Sequence, residues 1–446
     1  MNYREARAYL DEVENLRGRD FSLIEVAELS SRMDRPDRRT KMIHIAGTNG
    51  KGSVGNFICQ VLALSGYRVG RFTSPAVLRY RECIQKIAVK NGRVMREDIS
   101  EDEVAETLSV IRKHCEQMVS AGYKQPTSFE IETILAFQKF ADWEVDVAVV
   151  ETGLGGRMDA TNIIEHPLQC VFTSISMEHE GILGDSVDKI AREKYGIIVD
   201  GSQVISPVSD ACVDILEDIC RKKNAELHFV EEKSLEVAEY TIEGSRFTYR
   251  GEHYHVGQIG TYQVENAALA VEALEQLGKN GFEKITREYI CGGLESSKWP
   301  GRLDVVSENP FVLVDGAHNP SAVERLVESL RVYFPGEQFD FIFGVFSDKD
   351  YRRETETMIP LMHRAYTVTA PGKRGLPGDT LEECISQYAQ KQGKEVEIST
   401  CDSMAQACDR ALRGLEKGRR LVVCGSLSIV GDAYHYLGDG QYADRK

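Results

Sequence analysis

The sequence lacks any run of about 18 or more apolar residues, so no segment reads as a membrane span. Its opening stretch, MNYREARAYLDEV, is charged and amphipathic and has no compact apolar core of the kind a secretory signal carries. No CxxC pair occurs among the 11 cysteines, which excludes a zinc ribbon or a thioredoxin-type redox site. The cysteines are scattered and odd in number, as expected for reduced thiols in a cytoplasmic protein. Basic charge is in deficit: Lys and Arg total 54 against 70 Asp and Glu, a net charge of −16. That balance argues against a surface that tracks nucleic acid, yet it leaves room for a local cationic cleft that takes a small anion. Internal repeats, heptad runs and low-complexity tracts are missing too. What remains is a globular chain of 446 residues, 42% hydrophobic and 28% charged, long enough for several cores.

The apolar pattern predicts α/β organisation. MIHIA (42–46) reads as a buried strand that runs into a Gly-rich turn at 47–53, and Val54, Phe57, Ile58, Val61 and Leu62 then recur at helical spacing. Gly66 ends that helix and 67–73 reads as the next strand, a unit that begins parallel sheets. Helices are predicted at 102–120, 128–141 and 186–195, and strands at 145–151, 169–175 and 203–206. The run VDVAVVE (145–151) is β-branched, as a strand buried on both faces requires. Residues 236–259 alternate and carry Gly turns, like a small β-meander, and helices follow at 263–277 and 284–294. Pro300-Gly301 breaks regular structure and marks a domain boundary. Beyond it, strands at 311–315, 340–346, 365–369, 395–399 and 420–424 alternate with helices.

GTNGKGS (47–53) is the sharpest chemical signal. A Gly-rich turn between a strand and a helix lets backbone N–H groups surround phosphate oxygens. Gly47, Thr48, Asn49, Gly50, Lys51, Gly52 and Ser53 are the candidate nucleotide loop, with Lys51 on the β- and γ-phosphates and Thr48 or Ser53 reaching a phosphate or magnesium. The general phosphate-loop pattern is met imperfectly, with Ile45 in place of its first Gly and Gly52 in place of its Ser or Thr. Glu151 ends the strand 145–151, where open α/β sheets bind ligands; its carboxylate can hold magnesium or cap a helix. GLGGR (153–157) beside it reads as a flexible loop. Asp315 and His318, in VDGAHNP (314–320), follow another strand and form a second candidate site. By residue type alone, Ser74 is a turn hydroxyl, His179 a structural imidazole, Lys194 a solvated lysine and Arg302 a surface ion-pair partner. Gln263 and Asn266 read as solvated polar residues at a helix start.

GTNGKGS, TSP (73–75), PTSFE (126–130), VETGLGGRMDATN (150–162), SISMEH (174–179), IAREKYGI (190–197), WPGRLD (299–304), VDGAHNP and GSLSIVGD (425–432) follow one another in an order and spacing that resembles the folylpolyglutamate synthase/dihydrofolate synthase family of the Mur ligase superfamily. The resemblance implies an N-terminal phosphate-loop ATPase domain (1–296) with a mostly parallel sheet and a small β-meander. A smaller C-terminal Rossmann-like α/β domain (297–446) would be the glutamate-ligase domain, with the active site between the two. The implied activity joins L-glutamate to folate or tetrahydrofolate at the expense of ATP, through an acyl phosphate; dihydropteroate serves some members as acceptor. Two Mg²⁺ sites are implied, with Ser74, Glu151 and His179 as metal ligands and a carbamylated Lys194 helping to hold the second ion. By the same resemblance Gln263 and Asn266 meet the nucleotide, Arg302 reaches the γ-phosphate, Asp315 serves the nucleotide and catalysis, His318 steers the amine or its proton, and Ser426 positions glutamate. A monomer without nucleic-acid or membrane partners completes the expectation.

Three positions depart from the family's pattern: Ala76 follows Pro75 where relatives have His, Glu178 stands for Asp, and Ser428 replaces an aromatic. The competing readings are a Mur-type ligase acting on a UDP-sugar peptide, a phosphate-loop nucleotide switch, and a structural protein with a relic ATP site. PTSFE, GLGGRMDATN and VDGAHNP side with folate, and retained Lys51, Glu151, His179 and Asp315 weigh against a relic.

Overall fold

Short apolar runs become the fully buried centre of the first sheet in the computed structural model, which describes residues 1–15, 22–208 and 211–437. The strands are β1 (Met42–Ala46), β2 (Val69–Phe72), β3 (Ile84–Lys90), β4 (Arg93–Asp98), β5 (Val147–Glu151), β6 (Gln169–Phe172), β7 (Gln203–Pro207) and β8 (Glu226–Val230). Their order is β4-β3-β2-β5-β1-β6-β7-β8. β2, β5, β1, β6, β7 and β8 run parallel, and the β3–β4 hairpin adds antiparallel at one edge. Every residue of β1, β2, β5 and β6 is buried, which explains their mostly apolar texture; His44, Arg71, Glu151 and Gln169 are the polar exceptions. Ile45 pairs with Glu151 and Ala46 with Phe172, so the turns that follow β1, β5 and β6 leave the sheet side by side.

The helix after β1, Lys51–Leu64, is buried from Gly52 to Ala63, too enclosed to be a surface helix. PTSFE supplies a capping box: the Thr127 side chain accepts from Glu130 N while the Glu130 carboxylate accepts from Thr127 N, starting the helix Ser128–Asp142.

Contacts divide the chain into two compact units that are discontinuous in sequence. The first comprises residues 1–75, 81–235 and 266–294, the second 76–80, 236–265 and 295–446. Most of the meander thus groups with the second unit, ahead of the 296/297 division read from the sequence. It consists of β9 (Leu235–Thr241), β10 (Gly244–Tyr249) and β11 (Glu252–Val256), with β10 central.

The second unit's larger sheet contains β12 (Asp304–Glu308), β13 (Phe311–Val314), β14 (Phe339–Phe343), β15 (Met362–Val368), β16 (Glu397–Cys401) and β17 (Leu421–Cys424), in the order β12-β13-β17-β14-β15-β16. Only β12 is antiparallel. Alternate residues feed two cores: Leu313, Phe341 and Val422 on one face, Val312, Ile342 and Val423 on the other. Among the described residues no helix is long and apolar enough to cross a membrane.

Several elements were not foreseen. The β3–β4 hairpin escapes a search for apolar runs because Gln85, Lys86, Arg93, Arg96 and Glu97 interrupt its apolar residues. The readable signal is its turn, Asn91-Gly92, with both residues at positive φ (52° and 74°). The helices Tyr3–Asn15, Ile24–Arg32 and Val213–Lys222 and the strands β8 and β12 are also additional. Strands expected to reach 73 and 175 end at Phe72 and Phe172, and the residues left over become the loops that hold the site.

Candidate active site

The first unit's site is built on the turn after β1. Gly47 and Gly50 have φ of 152° and 95°, a region L-residues rarely enter. A Cβ on Gly47 would collide with Thr173 Oγ1, and one on Gly50 would lie 2.5 Å from Asn266 Oδ1. Asn266, one of the residues expected at the nucleotide, therefore sits directly against the loop. The segment after β6 clamps the turn from the other side. Thr48 N donates to Ser174 O (2.7 Å), Ser176 N donates to Thr48 Oγ1 (3.1 Å), and Ser174 Oγ donates to Asn49 O (3.2 Å). Thr48 thus has a structural job, while Gly52 and Ser53 are buried in the first turn of the helix Lys51–Leu64.

Lys51 Nζ donates to Gly47 O (3.1 Å) and Thr48 O (3.3 Å) and lies 3.9 Å from Glu151 Oε1. Glu151 is only 8% exposed, and its Oε2 accepts from Thr73 Oγ1 at 2.5 Å. Ser74 follows Thr73 through the loop after β2. Phe129, from PTSFE, packs its ring so close to Gly153 that a Cβ there would meet it at 2.5 Å; the ring also stacks on Phe72 at 5.7 Å between centroids. An apolar wall therefore stands beside the carboxylate.

Lys194 is not the solvated lysine its residue type suggests. It is 3% exposed, and its Nζ donates to Gly47 O at 2.7 Å. Burial, and then the charge of Lys51, hold its amine down to about 7, against the opposing pull of the Glu178 and Asp159 carboxylates. An unfolded lysine keeps its proton to a pKa of about 10.4. Between those values the unfolded state binds more protons, so the folded state gains stability as pH rises; below about pH 7 both states are protonated and the full cost is present. In CO₂-free buffer, the stability of wild type minus that of Lys194→Met should climb above pH 7 by up to about 1.4 kcal/mol per pH unit. Denaturant titrations from pH 6 to 9 that give a flat difference contradict the assignment.

Asp159 was missed by the sequence reading although MDATN contains it. It is 4% exposed and accepts from Leu154 N (2.7 Å), Thr161 N (3.0 Å) and Thr161 Oγ1 (2.5 Å), which folds the Gly-rich loop back on itself. Thr161 Oγ1 also contacts His44 Nε2 at 2.7 Å, and burial holds the His44 ring neutral with a pKa near 3. Arg157, at the loop's end, pairs with Glu193. His179 adopts φ of 53° and places Nε2 3.5 Å from Glu178 Oε1. Among the described residues no three His, Cys, Asp or Glu side chains are gathered to hold a metal on their own.

The second unit gathers WPGR, VDGAHNP and the residue before Gln263. Asp315 accepts from Leu303 N (2.7 Å), Ala317 N (2.7 Å) and the Tyr262 hydroxyl (2.9 Å). Burial raises its carboxyl pKa, and the Arg302 charge and these donors resist the rise. Arg302 Nη1 donates to Gly301 O at 3.0 Å, and Gly316 N donates to the same carbonyl at 2.8 Å. His318 Nδ1 must donate to Gly316 O (2.7 Å), so a neutral ring presents Nε2 as its acceptor. Gln263 is fully buried, and Ser426 Oγ pairs with Ser428 Oγ at 2.8 Å. Asp315→Ala would strand three donors and is expected to cost about 3 kcal/mol of stability. Thermal unfolding of the variant within about 0.5 kcal/mol of wild type would show that these bonds contribute little.

Comparison with known proteins also yields two domain matches, but the meander falls within the first match rather than with the second unit. The Mur ligase middle domain matches residues 94–274, and the Mur ligase glutamate ligase domain matches residues 301–427. The dihydrofolate synthase/folylpolyglutamate synthase of Bacillus subtilis is 36% identical over 348 residues, covering 75% of this chain and 78% of its own. Among solved structures, Mycobacterium tuberculosis folylpolyglutamate synthase complexed with ADP superposes with a TM-score of 0.84 at 26% identity, covering 97% of this chain and 98% of that one. A complex of FPGS with AMPPCP and folate gives 0.81 at 27% identity, covering 98% of this chain and all of the other.

Proposed function

The chain belongs to the folylpolyglutamate synthase/dihydrofolate synthase family of Mur ligases, and from that premise we propose how its residues divide the work of an ATP-dependent glutamate ligase. The acceptor is a reduced folate, extended by L-glutamate, with dihydropteroate as a second acceptor; the joint name of the Bacillus subtilis relative supports that pair.

A carboxylate is a poor electrophile at neutral pH, so it must be activated. A folate carboxylate oxygen attacks the γ-phosphorus of ATP, and the bond from that phosphorus to the β,γ-bridging oxygen breaks, leaving an acyl phosphate and ADP. The α-amine of L-glutamate then attacks the acyl carbon. The C–N bond forms, the C–O bond to phosphate breaks, and the nitrogen loses its proton. Anions must approach anions in both steps, so fixed positive groups and N–H donors dominate the catalysis.

Residues 47–53 hold the triphosphate, with Lys51 facing the β- and γ-phosphates and Asn266 meeting the nucleotide beside Gly50. The observation that carries this reading is the position of Lys51 Nζ, held by two loop carbonyls and 3.9 Å from Glu151 at the end of a central strand. In the second unit Arg302 is assigned to the γ-phosphate, Gln263 to the nucleotide and His318 Nε2 to the incoming amine. Asp315 acts by holding the Leu303 and Ala317 turns in place. Ser426 remains our choice for positioning glutamate. The cut at 296/297 is retained as the start of the glutamate-ligase module, whose domain match begins at residue 301.

Magnesium fits the donor set in the first unit. Hard oxygen donors suit it, and it typically takes one or two carboxylates and completes its shell with phosphate oxygens and water. Glu151 and Ser74 meet that need without a protein cage; His179 is the softer donor of the three. Bound there, the ion would neutralise phosphate charge. Lys194 supports carbamylation because an amine with a pKa held down to about 7 has a substantial neutral fraction near neutral pH, the form that adds CO₂ and sheds a proton. The resulting anion suits a second magnesium. We place the enzyme in the cytoplasm, where thiols outside disulfides stay reduced, and as a monomer.

Mass spectrometry of the products tests the function. Tetrahydrofolate incubated with Mg-ATP and L-glutamate should yield species heavier by successive glutamyl units. A chain that glutamylates neither tetrahydrofolate nor dihydropteroate is not this enzyme.

A further inference from the structure

The helix Lys51–Leu64 is apolar over most of its buried length, but Asn56 and Gln60 form a polar stripe on it, 0% and 8% exposed. Two arginines from the sheet, one on the inner strand β2 and one on the edge strand β4, meet that stripe. Arg71 of β2 is 1% exposed; its Nη2 donates to Gly52 O at 2.8 Å and its Nη1 to Asn56 Oδ1 at 3.3 Å. Arg96 of β4 reaches one turn further along, donating from Nη2 to Gln60 Oε1 at 2.8 Å. A buried arginine is rare, because removing its charge from water is costly unless donors find acceptors. Here one guanidinium bridges positions 52 and 56, which closes the first turn of the helix from beneath.

We propose that Arg71 is a positioning residue for the phosphates of ATP: from inside the sheet it fixes the first helical turn so that the loop N–H groups and Lys51 face the phosphate oxygens, and it sets a permanent positive charge behind them. The inference rests on the assignment of the phosphates to residues 47–53. Position is the first part of the argument. Gly52 follows Lys51 directly, so a bond to the Gly52 carbonyl restrains the backbone of the residue that must not move during phosphoryl transfer. Charge is the second. The helix N-terminus already favours anions, and a guanidinium buried beneath it acts through protein rather than water, where screening is weak. The interior transmits such a field: burial, and then the charge of Arg71, hold the Arg96 guanidinium down to about 10. The fork geometry is the third, since two acceptors four residues apart on one helix face are spanned by a planar guanidinium and not by an ammonium at the same reach.

The test compares Arg71→Met, Arg71→Lys and Arg71→Gln with wild type and with Lys51→Ala as control, measuring Mg-ADP affinity by calorimetry and KM for all three substrates. Arg71→Met should raise the ADP dissociation constant and the KM for ATP about tenfold, the scale of one charge-assisted bond. KM for tetrahydrofolate and glutamate should stay within about twofold, and Arg71→Lys, which keeps the charge but cannot span both acceptors, should recover only part of the loss. If Arg71→Met does not fold, Arg71→Gln, which keeps a donor and loses the charge, should still raise the KM for ATP alone. The inference is overturned if nucleotide binding stays within twofold in a folded Arg71→Met or Arg71→Gln, or if all three KM values rise together, the mark of general loosening. If Lys51→Ala also leaves ADP affinity unchanged, the loop assignment itself fails, an outcome distinct from failure of Arg71 alone.

Discussion

Lys51→Ala is expected to lower kcat with tetrahydrofolate by about a thousandfold, the upper range for removing one donor aimed at developing charge. The reason lies in how the lysine is held. Its Nζ is fixed by Gly47 O and Thr48 O within a turn that cannot relax, because Gly47 and Gly50 are packed against Thr173 and Asn266. No neighbouring side chain in that turn can supply the lost cation. The variant should still fold: removing a partly exposed side chain 3.9 Å from Glu151 takes away one weak ion pair, worth about 1 kcal/mol or less. A second effect accompanies the first. The Lys51 charge helps depress Lys194, so Lys194 should hold its proton to higher pH in the variant. Steady-state kinetics with calorimetry of ADP binding checks both catalytic and binding roles, and near-normal turnover would remove Lys51 from the reaction.

Lys194→Ala should lower kcat by about a hundredfold, comparable to losing a group that supports a metal. Its buried amine bonds to Gly47 O, which places the side chain at the phosphate loop. The distinguishing result is the response to CO₂. Wild type stripped of bicarbonate should lose activity and regain it on adding bicarbonate, with a ¹³C carbamate signal appearing alongside. Lys194→Ala should not respond to bicarbonate, and a short carboxylate such as acetate should restore part of its activity by supplying the missing anion. Full activity of wild type in CO₂-free buffer, with no carbamate signal, refutes the modification.

These residues show which parts of the molecule could be read from sequence. The turn at 47–53 and the strand ending at Glu151 are legible because local pattern determines them: an apolar run, then glycines, then helical spacing. The β3–β4 hairpin was missed because charged and polar residues interrupt both strands and leave no long apolar run, although Asn91-Gly92 announced the turn. Lys194 could not be recognised as buried from its own helix. Its environment comes from Gly47, 147 residues away in sequence. Thr73 and Tyr262 were passed over for the same reason: each acts through a partner distant in sequence, Glu151 and Asp315 respectively. Arg71 had a signal that went unused, the polar pair Asn56 and Gln60 at helical spacing inside an otherwise apolar helix. Polar residues spaced four apart on a buried helix require a partner, and only the fold says which one.

Glutamate-dependent ADP release from the purified protein with Mg-ATP, run in parallel with tetrahydrofolate, dihydropteroate and no pterin, tests the central claim most directly. Release should require glutamate and a pterin together, with tetrahydrofolate as an effective acceptor and little release when the pterin is left out. Release that proceeds equally with and without either pterin would contradict it and return the protein to the other Mur ligases or to a nucleotide switch.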